Sequence, residues 1–272
     1  MSNGRVLIIA GSDSGGGAGI QADIKTVTAL GGFAMTAISA LTAQNTEGVT
    51  AIHDVPPDFV VEQMRVVLDD IGADCIKIGM LHRPEVIEAV ASALDEYAPD
   101  VPLVVDTVML AKGGAKLLVD EAVDALKVHL ISRATLITPN IPEAEALSDQ
   151  TITSPEMAAE VGRQLLGMGP AAVLMKGGHL EGSQVVDQLI EATGEQVFEG
   201  ARIETRHTHG TGCTLASACA TGIAQGMALD DAVARARGYV FEAIRTAPGY
   251  GRGHGPLNHG HTINTGLLNN ET

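Results

Sequence analysis

The sequence has no long apolar run: its longest uninterrupted stretches, VLIIA and AAVLM, fall far short of the ~20 residues a membrane helix needs. A soluble chain with no membrane partner is therefore expected. Positive charge is also scarce, with 17 Lys and Arg against 33 Asp and Glu in 272 residues and a formal charge of −16. Binders of phosphate backbones gain affinity by replacing counterions with Lys and Arg, so nucleic acid is not expected as a partner. The three cysteines, Cys75, Cys213 and Cys219, are an odd number without the C-x-x-C spacing of zinc or redox sites. That usage fits a reducing cytoplasm, and the short apolar stretch before Gly11 is too brief for an export signal. The 32 glycines follow no G-x-y period, and no G-x-x-x-x-G-K-[ST] motif occurs, which excludes a collagen-like chain and a P-loop. No Pro/Ser-rich linker, composition break or solenoid repeat divides the sequence. What is present, 45% hydrophobic residues and 18% charged, suits a packed core rather than disorder. One domain over residues 1–272 is the expectation.

Arg5 to Ala10 reads as a buried strand, followed by a glycine-rich turn and a helix over about Ala18 to Leu30. Further apolar strands are predicted at Phe33 to Leu41, Cys75 to Ile78, Leu103 to Val105, Thr135 to Thr138 and Ala171 to Met175. Helical periodicity separates most of them, at Asp58 to Ile71, Pro84 to Tyr97, Asp120 to Ile131 and Pro155 to Met168. Strands apolar on both faces belong to a mostly parallel sheet covered by helices on each side, so a three-layer α/β/α sandwich is predicted. From Val185 to Ile203 two strand-like runs joined through Thr193-Gly194-Glu195 predict an appended β-hairpin. Two last helices are predicted at about Cys213 to Gln225 and Leu229 to Thr246, ahead of a Gly- and His-rich tail.

Chemistry concentrates at a few strand ends. The cluster from Gly11 to Gly19 lies between strand and helix, where glycine amides can approach an anion or a flat ligand. It fits a relaxed dinucleotide fingerprint, but Gln44-Asn45-Thr46 stands where the ribose-binding acid belongs. A second cluster, Gly210-Thr211-Gly212-Cys213, leads into a small-residue helix whose N-terminal amides and dipole form an anion hole in outline. The same field lowers the pKa of a first-turn thiol, making Cys213 a candidate base, whereas Cys75 and Cys219 read as packing residues. Lys176 closes a strand where open α/β sheets bind ligands, and a lysine there suits a phosphate. Asn140 and Glu143 follow another strand and suit either Mg²⁺ through water or a helix cap with Pro142 at its start. Asp106 ends the strand LVVD and suits a metal-bound water, a substrate group or a turn cap. Asp23 and Gln44 are placed toward one cavity at the sheet rim, where a carboxylate and an amide can pair with a heterocycle. His254, His259 and His261 in the tail show no convincing metal-ligand spacing.

In order, IIAGSD with GGAGIQADIKT, ALTAQNT, IKIGML, VMLAK, LITPNIPEAEAL, VLMKGGHL, THGTGCTLASA and GRGHGPLNH resemble the bacterial hydroxymethylpyrimidine and hydroxymethylpyrimidine-phosphate kinases of thiamine biosynthesis, ribokinase-like enzymes, over nearly the whole chain. The resemblance implies a ribokinase-like fold and transfer of phosphoryl groups from ATP, with Mg²⁺, first to a hydroxymethyl oxygen and then to the monophosphate. It implies that Gly11, Ala18, Asp23, Gln44 and Met80 line the pyrimidine site and that Lys176 contacts ATP phosphates. By the same resemblance Asn140 and Glu143 help order Mg²⁺, Gly210, Thr211 and Gly212 form the anion hole, and Cys213 holds the place of the catalytic base. A homodimer is the expected assembly.

The sequence departs from the family's usual pattern at Gly15, where a serine is common, and at Thr107 and Gly113, where D-P-V-M-x-A-K-S-G is usual. Losing the proline is expected to loosen that loop, and Ala111 to Lys116 is expected to act as a lid. Two other readings stand beside the kinase: a pyridoxal-type vitamer kinase and a non-catalytic protein that senses the pyrimidine. A nicotinamide-dependent oxidoreductase ranks below them for want of the ribose-binding acid.

Overall fold

A computed structural model describes residues 3–109 and 120–263. Nine strands form one sheet in the order β3-β2-β1-β4-β5-β6-β7-β8-β9, built from β1 (Arg5–Asp13), β2 (Phe33–Gln44), β3 (Val49–Asp54), β4 (Cys75–Ile78), β5 (Leu103–Val105), β6 (Leu136–Ile137), β7 (Ala172–Met175), β8 (Gln184–Glu191) and β9 (Gly194–Ala201). The six strands from β2 to β7 pair in parallel, while β3 and the β8–β9 pair add antiparallel edges.

The two-residue period of the strands separates two cores. Leu7, Ile9, Ile76 and Ile78 face one side, with buried residues of α2 (Pro57–Asp70), α3 (Pro84–Tyr97), α4 (Asp120–His129), α5 (Ile141–Ser148) and α6 (Pro155–Leu166). Val6, Ile8, Val104 and Leu136 face the other, with α1 (Gly19–Ala29), α7 (Thr211–Ala224) and α8 (Leu229–Arg245). The predicted three-layer α/β/α arrangement and the hairpin are therefore both present. Proline at the first turn sets the start of α2, α3 and α6, where its missing N–H removes no helical bond. Among the described residues, no helix is long and apolar enough to cross a membrane.

Several boundaries differ from the sequence reading, β1 running on to Asp13 instead of stopping at Ala10. β2 runs on to Gln44 instead of stopping at Leu41, and β3, not anticipated, pairs with its extension. β3 was illegible because it is an edge strand with no fully buried residue, so it carries no apolar run. The hairpin turn falls at Ala192-Thr193, one position before the expected one, because Glu191 pairs directly with Gly194. The segment from Ala111 to Lys116, with Gly113, lies outside the described residues.

Candidate active site

The parallel strands end on one cavity of about 1110 Å³. Gly11, Gln44 and Met80 line one end, Asp106, Lys176 and Glu143 the middle, and Val185, Ile203 and Phe241 the other end. Placement beyond the carboxyl ends of the strands follows from the open parallel sheet.

At the first end, Asp13 organises the glycine loop. Its Oδ1 accepts the Gly15 amide at 2.7 Å, and its Oδ2 accepts those of Gly17 and Ala18 at 3.0 and 2.8 Å. His209 Nε2 lies 2.9 Å from the same Oδ2. Burial alone would raise the Asp13 carboxyl, but the His209 and amide hydrogen bonds hold it below the usual carboxylate range. Gln44 reaches to within 3.4 Å of His209 Nε2 and accepts the Thr42 hydroxyl at 3.1 Å. Met80 packs so closely on Gly11 that a Cβ there would sit 2.6 Å from the methionine methyl.

At the middle, Lys176 Nζ lies 3.3 Å from Asp106 Oδ1 and 3.9 Å from Glu143 Oε2. The Lys176 amide bonds Pro139 O at 2.9 Å, tying the end of β7 to the start of α5. Desolvation opposes the ammonium form of Lys176, yet Asp106 and Glu143 raise its pKa overall. Asp106 is buried, and its Oδ2 has no hydrogen-bond partner among the described residues. Asn140 and Glu143 form a capping box: Asn140 Oδ1 accepts the Glu143 amide and Glu143 Oε2 the Asn140 amide, each at 2.9 Å. The cap expected of this pair is present, and both residues also line the cavity. The Thr107 hydroxyl is bonded to Glu143, while the loop beyond Met109 lies outside the described residues.

Gly210 caps α7 with φ +84°, and a Cβ there would overlap the carbonyl oxygen of Gly17, so only glycine fits. The Thr211 amide and hydroxyl both turn back to Thr208 O, at 3.4 and 3.1 Å. The cavity therefore meets the amides of Gly212 and Cys213, which lie in the first helical turn and lack helical acceptors.

Two expectations are corrected. Burial pushes the Cys213 thiol up to about 12, against the opposing charge of Lys77, rather than down as the helix field alone suggested. Desolvation outweighs the charge of Lys77, so the resting group is the thiol. Asp23 does not line the cavity, whereas the other twelve anticipated site residues do. Its side chain is fully buried beneath the cavity, where both carboxylate oxygens lie 3.0 Å from Lys77 Nζ and Oδ1 accepts the Ser217 hydroxyl at 2.7 Å.

Sequence reasoning missed Asp13, His209 and Lys77. Lys77 had a signal: it is the lone charge in the buried strand Cys75–Ile78. Asp13 and His209 stand inside motifs whose glycines took the attention. Among the described residues, no group of three or more His, Cys, Asp or Glu is arranged to hold a metal ion unaided.

Comparison with known proteins gives a consistent result. The model of a family described as phosphomethylpyrimidine kinase matches residues 13–258. The chain is 52% identical over 256 residues to the thiamine biosynthesis bifunctional protein ThiED of Geobacter sulfurreducens, covering 94% of this chain but 52% of that protein, about half its length. It is 46% identical over 260 residues to the hydroxymethylpyrimidine/phosphomethylpyrimidine kinase of Bacillus subtilis, covering 95% of this chain and 96% of the relative. Among solved structures, an ADP complex of Bacillus subtilis pyridoxal kinase superposes with a TM-score of 0.87 at 31% identity, covering 94% of this chain and 97% of that one.

Proposed function

The chain belongs to the phosphomethylpyrimidine kinase family, and from that premise we propose a two-step phosphotransferase of thiamine biosynthesis. ATP phosphorylates the hydroxymethyl oxygen of 4-amino-5-hydroxymethyl-2-methylpyrimidine, and a second transfer converts the monophosphate to the pyrophosphate. The observation that carries the reading is the continuity of the cavity from Gln44 and Met80 through Lys176 to the head of α7. An acceptor alcohol and a phosphoryl donor thus meet in one chamber.

In this reading Gly11, Ala18, Gln44 and Met80 hold the pyrimidine, the Gln44 amide meeting its polar edge. Asp23 acts from below, through Lys77. Lys176 and the amides of Gly212 and Cys213 take the negative charge of the transferred group, with Gly210 and Thr211 shaping the turn that aims them. The transition state is loose and its charge lies on equatorial oxygens, so alignment and neutralisation are the main demands on the protein. Cys213 stands beside the acceptor and takes up its proton when present as thiolate. The apolar end near Val185, Ile203 and Phe241 suits the nucleotide base.

Mg²⁺ fits the residues present. Asp106 Oδ2 is a buried acceptor without a partner among the described residues, with Glu143 and Asn140 nearby to order water on a bound magnesium ion, which would take its remaining ligands from water and phosphate. Bound there, it would neutralise phosphate charge. Residues 1–272 are taken as one kinase domain because the nine strands of the described residues join one sheet. A cytoplasmic homodimer without nucleic-acid contacts is the assembly we propose, supported by the acidic balance of the chain and the prevalence of closed dimers.

Mass spectrometry of products from the hydroxymethylpyrimidine and MgATP tests the reading. Successive gains of one and two phosphoryl groups are expected. Absence of phosphorylated pyrimidine, or faster turnover on pyridoxal under the same conditions, counts against it.

A further inference from the structure

A fully buried lysine beside a reaction chamber calls for a physical reason. Lys77 and Asp23 are both completely excluded from solvent, and a buried ion pair is seldom more stable than an apolar pair of the same volume. The other three residues of β4 are apolar and buried, and a methionine would suit the position for packing alone.

The helices above the pair locate its effect. Asp23 lies four residues after Gly19 on α1, and Ser217 four residues after Cys213 on α7, so each pair shares one helix face. The two faces meet where the Ser217 hydroxyl donates to Asp23 at 2.7 Å. Four residues of helix rise ~6 Å, so the Asp23–Lys77 pair lies about one turn beneath the sulfur. Lys77 also forms part of the cavity floor.

We propose that Lys77, clamped by Asp23 and Ser217, is the charge partner of Cys213, a fixed buried cation that stabilises the sulfur as thiolate. The inference rests on reading Cys213 as the proton acceptor. In that step the hydroxymethyl oxygen bonds the γ-phosphorus, and the bond from phosphorus to the bridging oxygen breaks with its electron pair leaving on ADP. The hydroxyl proton passes to Cys213 Sγ, which enters as thiolate after giving its own proton to water. Four charged groups act on the sulfur: Lys77 from β4 and, more weakly, Lys176 at the end of β7 favour the anion, while Asp23 from α1 and Asp106 from the end of β5 oppose it. Lys77 is a positioning residue, since it acts through Cys213. An opposite charge at this range shifts a pKa by about 1–3 units, which is tenfold to a thousandfold in thiolate.

The test removes the pair together, because Lys77→Met alone strands the Asp23 charge. In the Asp23→Asn/Lys77→Met double variant, shown to be folded by circular dichroism, the rate of Cys213 alkylation by iodoacetamide at pH 8.5 is measured against a Cys213→Ala background. With MgATP and the hydroxymethylpyrimidine, kcat and KM are measured in parallel. Alkylation and kcat are expected to fall about threefold or more, since the nearer Lys77 charge is lost together with the opposing charge of Asp23, with KM within about twofold. Unchanged alkylation, or a change confined to KM, overturns the proposal. Ser217→Ala keeps both charges and loosens only the clamp, so a smaller fall in alkylation is expected, and no fall is equally fatal. Wild-type turnover in Cys213→Ser would instead remove the proton-acceptor reading, a separate failure that alkylation does not report.

Discussion

Thr107 donates its hydroxyl to Glu143 Oε2 across 3.0 Å, with both side chains buried. Proline, usual here in the family, has no such donor. The same Oε2 closes the capping box of α5, so one carboxylate joins the loop after β5 to the helix after β6. Thr107→Val keeps the shape and deletes the donor. A buried acceptor that loses a partner costs about 1–3 kcal/mol, and urea denaturation is expected to register that loss with an unchanged m-value. An unshifted midpoint would mean that the bond contributes nothing to stability.

Gly210 tolerates no side chain. Its φ of +84° is unfavourable for other residues, and a Cβ would overlap the Gly17 carbonyl oxygen, pushing the first glycine loop away from the head of α7. Gly210→Ala is expected to lower kcat by ~10²-fold or more, since amides displaced by a fraction of an ångström no longer meet the developing charge. Steady-state kinetics on the folded variant checks this, and a loss confined to KM would move Gly210 out of the transition-state apparatus.

Cys213→Ser leaves the cavity almost unchanged in shape but replaces the sulfur with a weaker proton acceptor. Turnover is expected to fall ~10²-fold with little change in KM, the usual scale for a lost acid or base group. Because burial holds the thiol at about 12, wild-type kcat should still be rising with pH through the neutral range, and Cys213→Ser should flatten that rise. Equal pH profiles would exclude the sulfur from proton transfer.

Residues whose role follows from backbone chemistry were legible in the sequence, and those whose role follows from a distant partner were not. The doubly buried strands declare themselves as apolar runs, and Gly210 to Gly212 announce a helix N-terminus because few other residues turn so tightly. Lys176 and Asp106 were placed by strand ends alone. Asp23 misled because sequence gives its helix position but not the direction of its side chain, which Lys77, 54 residues away, draws beneath the floor. His209 and Asp13 meet across 196 residues, a pairing that local pattern cannot express. Cys213 does line the cavity but with the opposite shift to the one expected, because the helix field is visible in sequence and desolvation is not.

His259 makes acid sensitivity measurable. The tail returns it to the back of α7, where its Nε2 lies 2.9 Å from Thr214 Oγ1 and Tyr239 donates to its carbonyl at 2.6 Å. Burial first, then the nearby charges of Lys25 and His261, lower its pKa from 6.5 to about 4. The folded ring therefore stays neutral where the unfolded chain is already protonated. Between pH 6.5 and about 4 the unfolded state binds more protons, so this contribution to stability is complete above pH 6.5 and lost as pH falls toward 4. A shift of that size corresponds to ~3 kcal/mol. Urea denaturation at pH 7.5, 6 and 5 should show a steeper loss in the wild-type protein than in His259→Gln, whose amide can still bond Thr214 but does not titrate. Parallel losses would assign the acid response to other groups and leave the His259–Thr214 contact as packing alone.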